Sequence, residues 1–186
     1  MQRRNALFLA LLLPVCALAA AETAPATPAG AAAHAAEDQP SLALQVDGAV
    51  TAARSFDLAS LQKLAAHNSG PVDVVCASGA TVATVQNFRG VRLTDVIDSV
   101  GLKLEGHKDA RTLVVVARAT DGYVVTFSYN ELYNTAIGKD VLVAWEKDGE
   151  PLGPHEGQFL LISGQDIKTG PRHVRNLADI RIVRMK

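Results

Sequence analysis

Asp-Gly turn signals divide this 186-residue chain into short runs of β-branched and apolar residues. The pair occurs at 47–48, 121–122 and 148–149, and Asp-Gly between such runs is a strong signal for a β-hairpin. The middle turn joins the clearest predicted strand pair, 112–119 and 123–128. A chain in which hairpin turns separate short apolar runs is expected to fold around a β-sheet. Further strands are predicted over 42–46, 72–77, 141–146, 159–163 and 180–183.

Helical spacing is limited to two segments. Leucines at every third position follow Asp57, which suits an N-cap, and apolar residues over 96–100 follow Thr94, a second predicted cap, and end at Gly101. Regular alternation of strands and helices is missing, as is a Gly-rich phosphate loop. The sequence therefore predicts an α+β domain with a mixed, mostly antiparallel sheet and a few short helices, not a doubly wound nucleotide-binding fold.

The N-terminal region predicts export from the cytoplasm. Arg3 and Arg4 precede an uncharged stretch that ends in small residues, so residues 1–21 are predicted to be a signal peptide, and the paired arginines hint at the twin-arginine route. A short membrane anchor is the alternative, although a span needs about 20 apolar residues. Residues 22–40 are predicted to be a flexible Ala/Pro-rich tether and 41–186 a single domain. We expect a periplasmic or secreted protein without stable membrane insertion of the mature chain.

The charge of the mature chain argues against polyanionic partners. The signal segment carries two of the 18 basic residues, which leaves 16 against 19 acidic ones and a net charge near −3. Such a balance gives no reason to expect binding to nucleic acid or to an anionic membrane.

Cys76 is the one cysteine that the mature chain would keep, because Cys16 lies in the predicted signal peptide. A single thiol is buried filler, a reactive group or a metal ligand. The sequence has no C-x-x-C, H-E-x-x-H or EF-hand motif, so structural zinc, zincin chemistry and calcium are poorly supported. A Cys-His hydrolase with His155 or His173 lacks its family signatures as well. The three fates of the thiol stay open at this point.

A basic loop at 169–176 is a candidate anion-binding corner. Gly-Pro forces a turn, and Arg172, His173 and Arg175 follow within four residues. If the segment is extended, His173 and Arg175 face one side and Arg172 the other. Guanidinium groups suit phosphate or carboxylate, while a solvated basic loop is the alternative.

Five motifs in order give this chain a family resemblance. Over roughly residues 70–185, it resembles the molybdopterin-binding domain of the sulfite oxidase family, in which a cysteine thiolate binds molybdenum and a Gly-x-Arg corner contacts the cofactor. The motifs are Cys76–Gly79, Phe88–Leu93, Asp121–Tyr123, Val141–Leu152 and Gly170–Arg175.

The resemblance implies a cofactor, molybdopterin or a free pterin, and a set of site residues. Cys76 would be the metal ligand, which suits a soft metal, and Tyr123 would be a catalytic phenol. It also implies a small-anion substrate and a periplasmic electron carrier or membrane partner. The cofactor or its anionic substrate would be bound by Arg89, Gly90, Arg172, His173 and Arg175.

Three functional interpretations follow. The first is a periplasmic molybdenum-dependent oxidoreductase of small oxyanions or sulfoxides. The second is a non-catalytic pterin-binding module that reports to, or exchanges its ligand with, a partner protein. The third is a sheet domain in which Cys76 belongs to the core and the arginines face solvent.

Overall fold

The computed structural model describes residues 40–106 and 108–186. The predicted signal peptide and all of the predicted tether except Pro40 lie outside the described residues, so both stay predictions. Within the described part, no helix is long and apolar enough to cross a membrane.

Strands are the main regular structure of the described domain, with three short α-helices among them. The β-strands are β1 (Leu44–Gly48), β2 (Arg54–Phe56), β3 (His67–Asn68), β4 (Val72–Val75), β5 (Thr81–Val85), β6 (Phe88–Arg92), β7 (Leu113–Ala119), β8 (Val124–Ser128), β9 (Val141–Lys147), β10 (Glu150–Pro151), β11 (Leu160–Ser163) and β12 (Leu177–Arg184). The helices are α1 (Leu58–Leu61), α2 (Leu93–Val100) and α3 (Tyr129–Asn134), with 3-10 turns at Asp109–Thr112, Ile137–Asp140 and Gly170–Arg172.

The strands form two larger sheets and a separate hairpin. The first sheet has the order β2-β1-β12-β7-β8, with β1 and β12 parallel and the other neighbours antiparallel. The second has the order β10-β9-β6-β3, with β11 also on β9, and all of its pairs are antiparallel. β4 and β5 pair only with each other among the described strands. The predicted α+β domain with a mixed, mostly antiparallel sheet is confirmed.

Strand β9 separates two hydrophobic cores. Val141, Val143 and Trp145 pack into the larger core with the first sheet and α2, whereas Leu142 and Ala144 pack into a smaller core beneath the β4–β5 hairpin. Because both faces of β9 are buried, its sequence is a continuous apolar run and not an alternating one. The smaller core therefore supports the hairpin whose turn carries Cys76.

The predicted helix caps are partly confirmed. The Asp57 side chain accepts a hydrogen bond from Ser60 N–H at 2.8 Å at the start of α1, and Gly101 ends α2 with φ +70°. The prediction of Thr94 as a cap is wrong, because Arg92 is the N-cap and Thr94 lies inside the first turn of the helix. Since β6 leads directly into α2, the strand fixes where the helix begins.

Candidate functional site

Cys76 lies in a tight turn directly after β4. Its N–H donates to Ala80 O at 2.9 Å, and Gly79 N–H donates to Cys76 O at 2.8 Å. Sγ lies 2.8 Å from Ser78 Oγ, and this hydrogen bond, followed by backbone N–H groups of the turn, holds the pKa of the thiol below its usual value. The thiol is partly exposed, so the interpretation of Cys76 as buried filler is wrong.

Residues 170–175 face this turn and are called here the basic turn. Gly170–Arg172 form a 3-10 turn, and Val174 then pairs with Leu161 through backbone hydrogen bonds of 2.8 and 2.9 Å. Val174 is buried, while its neighbours His173 and Arg175 line a cavity. The predicted alternation of side chains in this loop therefore holds for these three residues.

The cavity between the two turns has a volume of about 390 Å³, within the range of small-molecule sites. It brings together four residues that the resemblance singled out: Cys76, Tyr123, His173 and Arg175. A smaller cavity of about 220 Å³ shares three of them and adds Asp121. A further cavity of about 380 Å³ beside Trp145 is lined by apolar and uncharged side chains. Of these cavities, the one beside Cys76 combines a thiol, a phenol, an imidazole and a guanidinium.

His173 is held neutral within this cavity. Burial, and then the nearby charge of Arg175, lower the pKa of its imidazole from 6.5 to about 4. Its Nε2 is buried and has no hydrogen-bond partner among the described residues, and the ring packs edge-on against Phe88 at 6.2 Å between centroids. An unpaired buried nitrogen costs free energy unless a ligand binds to it.

Tyr123 bridges two loops that line the cavity. Its N–H donates to Asp121 Oδ1 at 2.7 Å, as expected at the turn between β7 and β8. Its phenol donates to Pro171 O at 2.7 Å, although the side chain is 45% exposed. The hydroxyl proton is thus used to hold the basic turn. The assignment of Tyr123 as a catalytic phenol stays a prediction.

Arg172 does not line the cavity. Its guanidinium donates to Glu131 Oε1 at 2.7 Å and to both carboxylate oxygens of Asp166. It also lies 4.3 Å from the centroid of the Phe127 ring. These contacts use the charge of Arg172 to fix the basic turn on α3 and on the loop after β11, so they do not support its assignment to the cofactor.

Arg89 and Gly90 also lie outside the cavity-lining set. Arg89 is exposed on β6 and pairs with Glu146 at 3.3 Å. Gly90 lies within β6, where an added Cβ would come within 2.2 Å of Val143 O. Strand packing explains why this position is a glycine.

The Cys-His hydrolase hypothesis is restricted to one of its two histidines. His155 is exposed and outside the cavity, whereas His173 lines the cavity together with Cys76.

Sequence reasoning missed Thr169 and Lys168. The Thr169 hydroxyl accepts from Val75 N–H at 2.9 Å and donates to Asp73 O at 2.6 Å. Lys168 Nζ donates to Ala77 O in the Cys76 turn. The partners are more than 90 positions apart in sequence, so no local pattern could have revealed them.

Comparison with known proteins identifies the family. The family model described as oxidoreductase molybdopterin binding domain matches residues 31–184. The chain belongs to this family. The resemblance seen in its motifs is thereby confirmed, and no curated protein was found to match the chain.

A solved structure shares the fold. The crystal structure of the sulfane dehydrogenase SoxCD from Paracoccus pantotrophus superposes with a TM-score of 0.56 at 17% sequence identity. The match covers 75% of this chain and 37% of that chain. This family member thus spans little more than a third of that neighbour's length, and the likeness concerns the fold.

The residues around the cavity fit the cofactor type of the family. A thiolate is a ligand that a soft metal prefers, and the hydrogen bonds at Cys76 favour the thiolate form. No group of three His, Cys, Asp or Glu side chains suited to a metal ion occurs within 40–106 and 108–186. A metal at Cys76 would take its other ligands from the cofactor. His173 and the cation of Arg175 line the opposite wall of the cavity.

Proposed function

We propose that the protein is an exported molybdopterin-dependent oxidoreductase of small oxyanions or sulfoxides. The observation that carries the proposal is the convergence of Cys76, His173 and Arg175 on one cavity in a member of a molybdopterin-binding family. The thiol, the neutral imidazole and the guanidinium come from segments about 100 residues apart in the sequence. The fold places them around one space of ligand size.

Each side chain has a role set by its surroundings. Cys76 would hold the metal through its thiolate, which the Ser78 hydroxyl stabilises. Arg175, exposed at the cavity, would attract the anion, and His173 would orient cofactor or substrate through its unpaired Nε2. The bound cofactor would supply the two-electron redox chemistry, as cofactors do in such enzymes.

The electrons require a partner protein. Oxidation of an oxyanion takes an oxygen atom from water and releases two electrons and two protons, whereas reduction of a sulfoxide consumes them and releases water. A periplasmic electron carrier or a membrane protein would accept or supply the electrons. The periplasmic location rests on the predicted signal peptide, residues 1–21.

A second candidate function is a non-catalytic module that binds a free pterin and reports to a partner. It is favoured by the unpaired, buried Nε2 of His173, which suits the polar edge of a heterocycle and needs no metal. The accessible thiol of Cys76 favours the enzyme, because a pterin alone gives a thiolate no role at that position.

The test is the cofactor content of the exported protein. Protein purified from a host that makes molybdopterin is analysed for molybdenum by elemental analysis and for pterin by fluorescence after denaturation. The same protein from a host that cannot make the cofactor provides the blank. Stoichiometric molybdenum and pterin are expected. Pterin without metal would select the second function, and the absence of both would contradict both functions.

A further inference from the structure

Thr169 lies at the junction of the two walls of the cavity. Its side chain is buried, with 3% of the residue exposed. One hydroxyl group satisfies two backbone groups of β4, by accepting from Val75 N–H at 2.9 Å and donating to Asp73 O at 2.6 Å. The residue immediately precedes the basic turn and binds the last residues before Cys76. It therefore directly connects the strand that leads to Cys76 with the basic turn.

The β4–β5 hairpin needs such a connection. A two-stranded sheet is marginal by itself, and four of the five residues of β5 are exposed. The free edge of β4 has no further strand beside it within 40–106 and 108–186. Thr169 occupies that edge and forms the hydrogen bonds that a third strand would form. The position of Cys76 thus depends on a side chain outside the hairpin.

The neighbours of Thr169 strengthen this contact. A Cβ added at Gly170 would lie 2.8 Å from Val75 O, so the backbone of the basic turn already packs closely against the end of β4. Lys168 Nζ donates to Ala77 O, one residue beyond Cys76. Three consecutive residues therefore contact the segment that carries the thiol.

We propose that Thr169 is a positioning residue. It sets the separation between Cys76 and the cationic side chains of Lys168 and Arg175. A thiol that holds a metal and a guanidinium that attracts an anion act together only at a fixed separation. The importance of this separation for catalysis rests on the proposed function. The separation itself belongs to the cofactor-free protein and is measured there.

The test compares two alkylating reagents on Cys76, using the full chain from a host without molybdopterin. Iodoacetate is anionic and iodoacetamide is neutral, and both attack the same thiolate, so the ratio of their rate constants cancels the thiolate fraction. The ratio then reports the positive potential of Lys168 and Arg175 at the sulfur. Mass spectrometry of the peptide that contains Cys76 follows both reactions.

Thr169→Val removes both hydrogen bonds at nearly constant volume and is expected to lower the ratio about twofold or more, because the cations move away from the sulfur. Thr169→Ser keeps the hydroxyl and is expected to retain the wild-type ratio. Val115→Ala in β7 is the control for general destabilisation, since Val115 is buried in the larger core away from the cavity. It is expected to leave the ratio unchanged.

Gly170→Ala keeps the test decisive if Thr169→Val does not fold. Its added methyl group separates the same two walls without removing a hydrogen bond, so it is also expected to lower the ratio. A wild-type ratio in Gly170→Ala and in any folded Thr169→Val would overturn the proposal, as would an equal decrease in Val115→Ala. Neither reagent requires the cofactor, so this outcome is independent of the cofactor content that tests the proposed function.

Discussion

The two walls of the cavity differ in how they are supported. Cys76 lies in the turn of a two-stranded hairpin whose outer strand, β5, is largely exposed. The basic turn is anchored by Val174, which is buried and paired with β11, and by Arg172, which binds two carboxylates. The group proposed to hold the metal therefore lies on the less supported wall, and the better supported wall positions it. Substitution of Cys76 should therefore change metal binding, whereas substitution of the anchoring residues of the basic turn should change the free energy of unfolding.

The largest effect is expected for Cys76→Ser. The serine hydroxyl does not replace a thiolate on a soft metal, so molybdenum should be lost completely while the fold is retained, because Cys76 lies in a partly exposed turn. Elemental analysis and thermal unfolding measure the two properties. Ser55→Ala, at an exposed position of β2 outside the cavity, is the matched control and should keep the metal. Full molybdenum content in Cys76→Ser would contradict the assignment of Cys76 as the metal ligand.

Arg172→Met should affect stability most strongly. The substitution leaves the carboxylates of Asp166 and Glu131 without their shared partner in a partly buried site. We expect the free energy of unfolding to decrease by about 2–3 kcal/mol, measured by urea denaturation. Arg172→Lys should recover part of this loss, since lysine keeps the charge without the planar fork. An unchanged midpoint in Arg172→Met would show that the basic turn is anchored in another way.

His173 should make stability depend on pH. Its pKa is about 4 in the folded protein, against 6.5 for an ordinary histidine, so the unfolded chain binds a proton first as the pH decreases. Stability should therefore decrease from about pH 6.5 to about pH 4, by about 3 kcal/mol from this residue. Urea denaturation across this range should show a smaller decrease for His173→Gln. Identical pH profiles would contradict a buried, neutral imidazole.

Arg175→Met should have the smallest effect and only on binding. Arg175 is exposed at the cavity, so its loss should change the free energy of unfolding by no more than about 0.5 kcal/mol. Affinity for sulfate, used as an unreactive oxyanion in calorimetry, should decrease about three- to tenfold. Arg89→Met is the control, because Arg89 lies outside the cavity. Equal weakening by both substitutions would mean that the anion is not bound at the basic turn.

Local sequence signals predicted much of the fold. The Asp121-Gly122 turn lies between strands at Leu113–Ala119 and Val124–Ser128, close to the predicted bounds. The strand predicted over 72–77 is present, but it ends at Val75, so Cys76 lies in the turn after it and not within the strand as predicted. These features depend on neighbours in the chain, for which periodicity and turn chemistry are informative. The prediction of Thr94 as the N-cap was wrong because β6 continues directly into α2, so the end of the strand determines where the helix starts.

The site was predictable only in part. Cys76, Tyr123, His173 and Arg175 could be selected through motifs, but the partners of the two arginines could not. Arg172 and Arg175 are three positions apart with the same charge, yet one binds carboxylates and the other lines the cavity. That difference is set by Glu131 and Asp166, which the fold brings together from distant segments.

We propose that Cys76 holds molybdenum in the cavity that it shares with the basic turn. The most direct test is a crystal structure of the exported protein with anomalous data collected at the molybdenum absorption edge. We expect an anomalous peak within bonding distance of Cys76 Sγ and pterin density that contacts His173 or Arg175. A pterin in the cavity without such a peak, or a peak remote from Cys76, would contradict it.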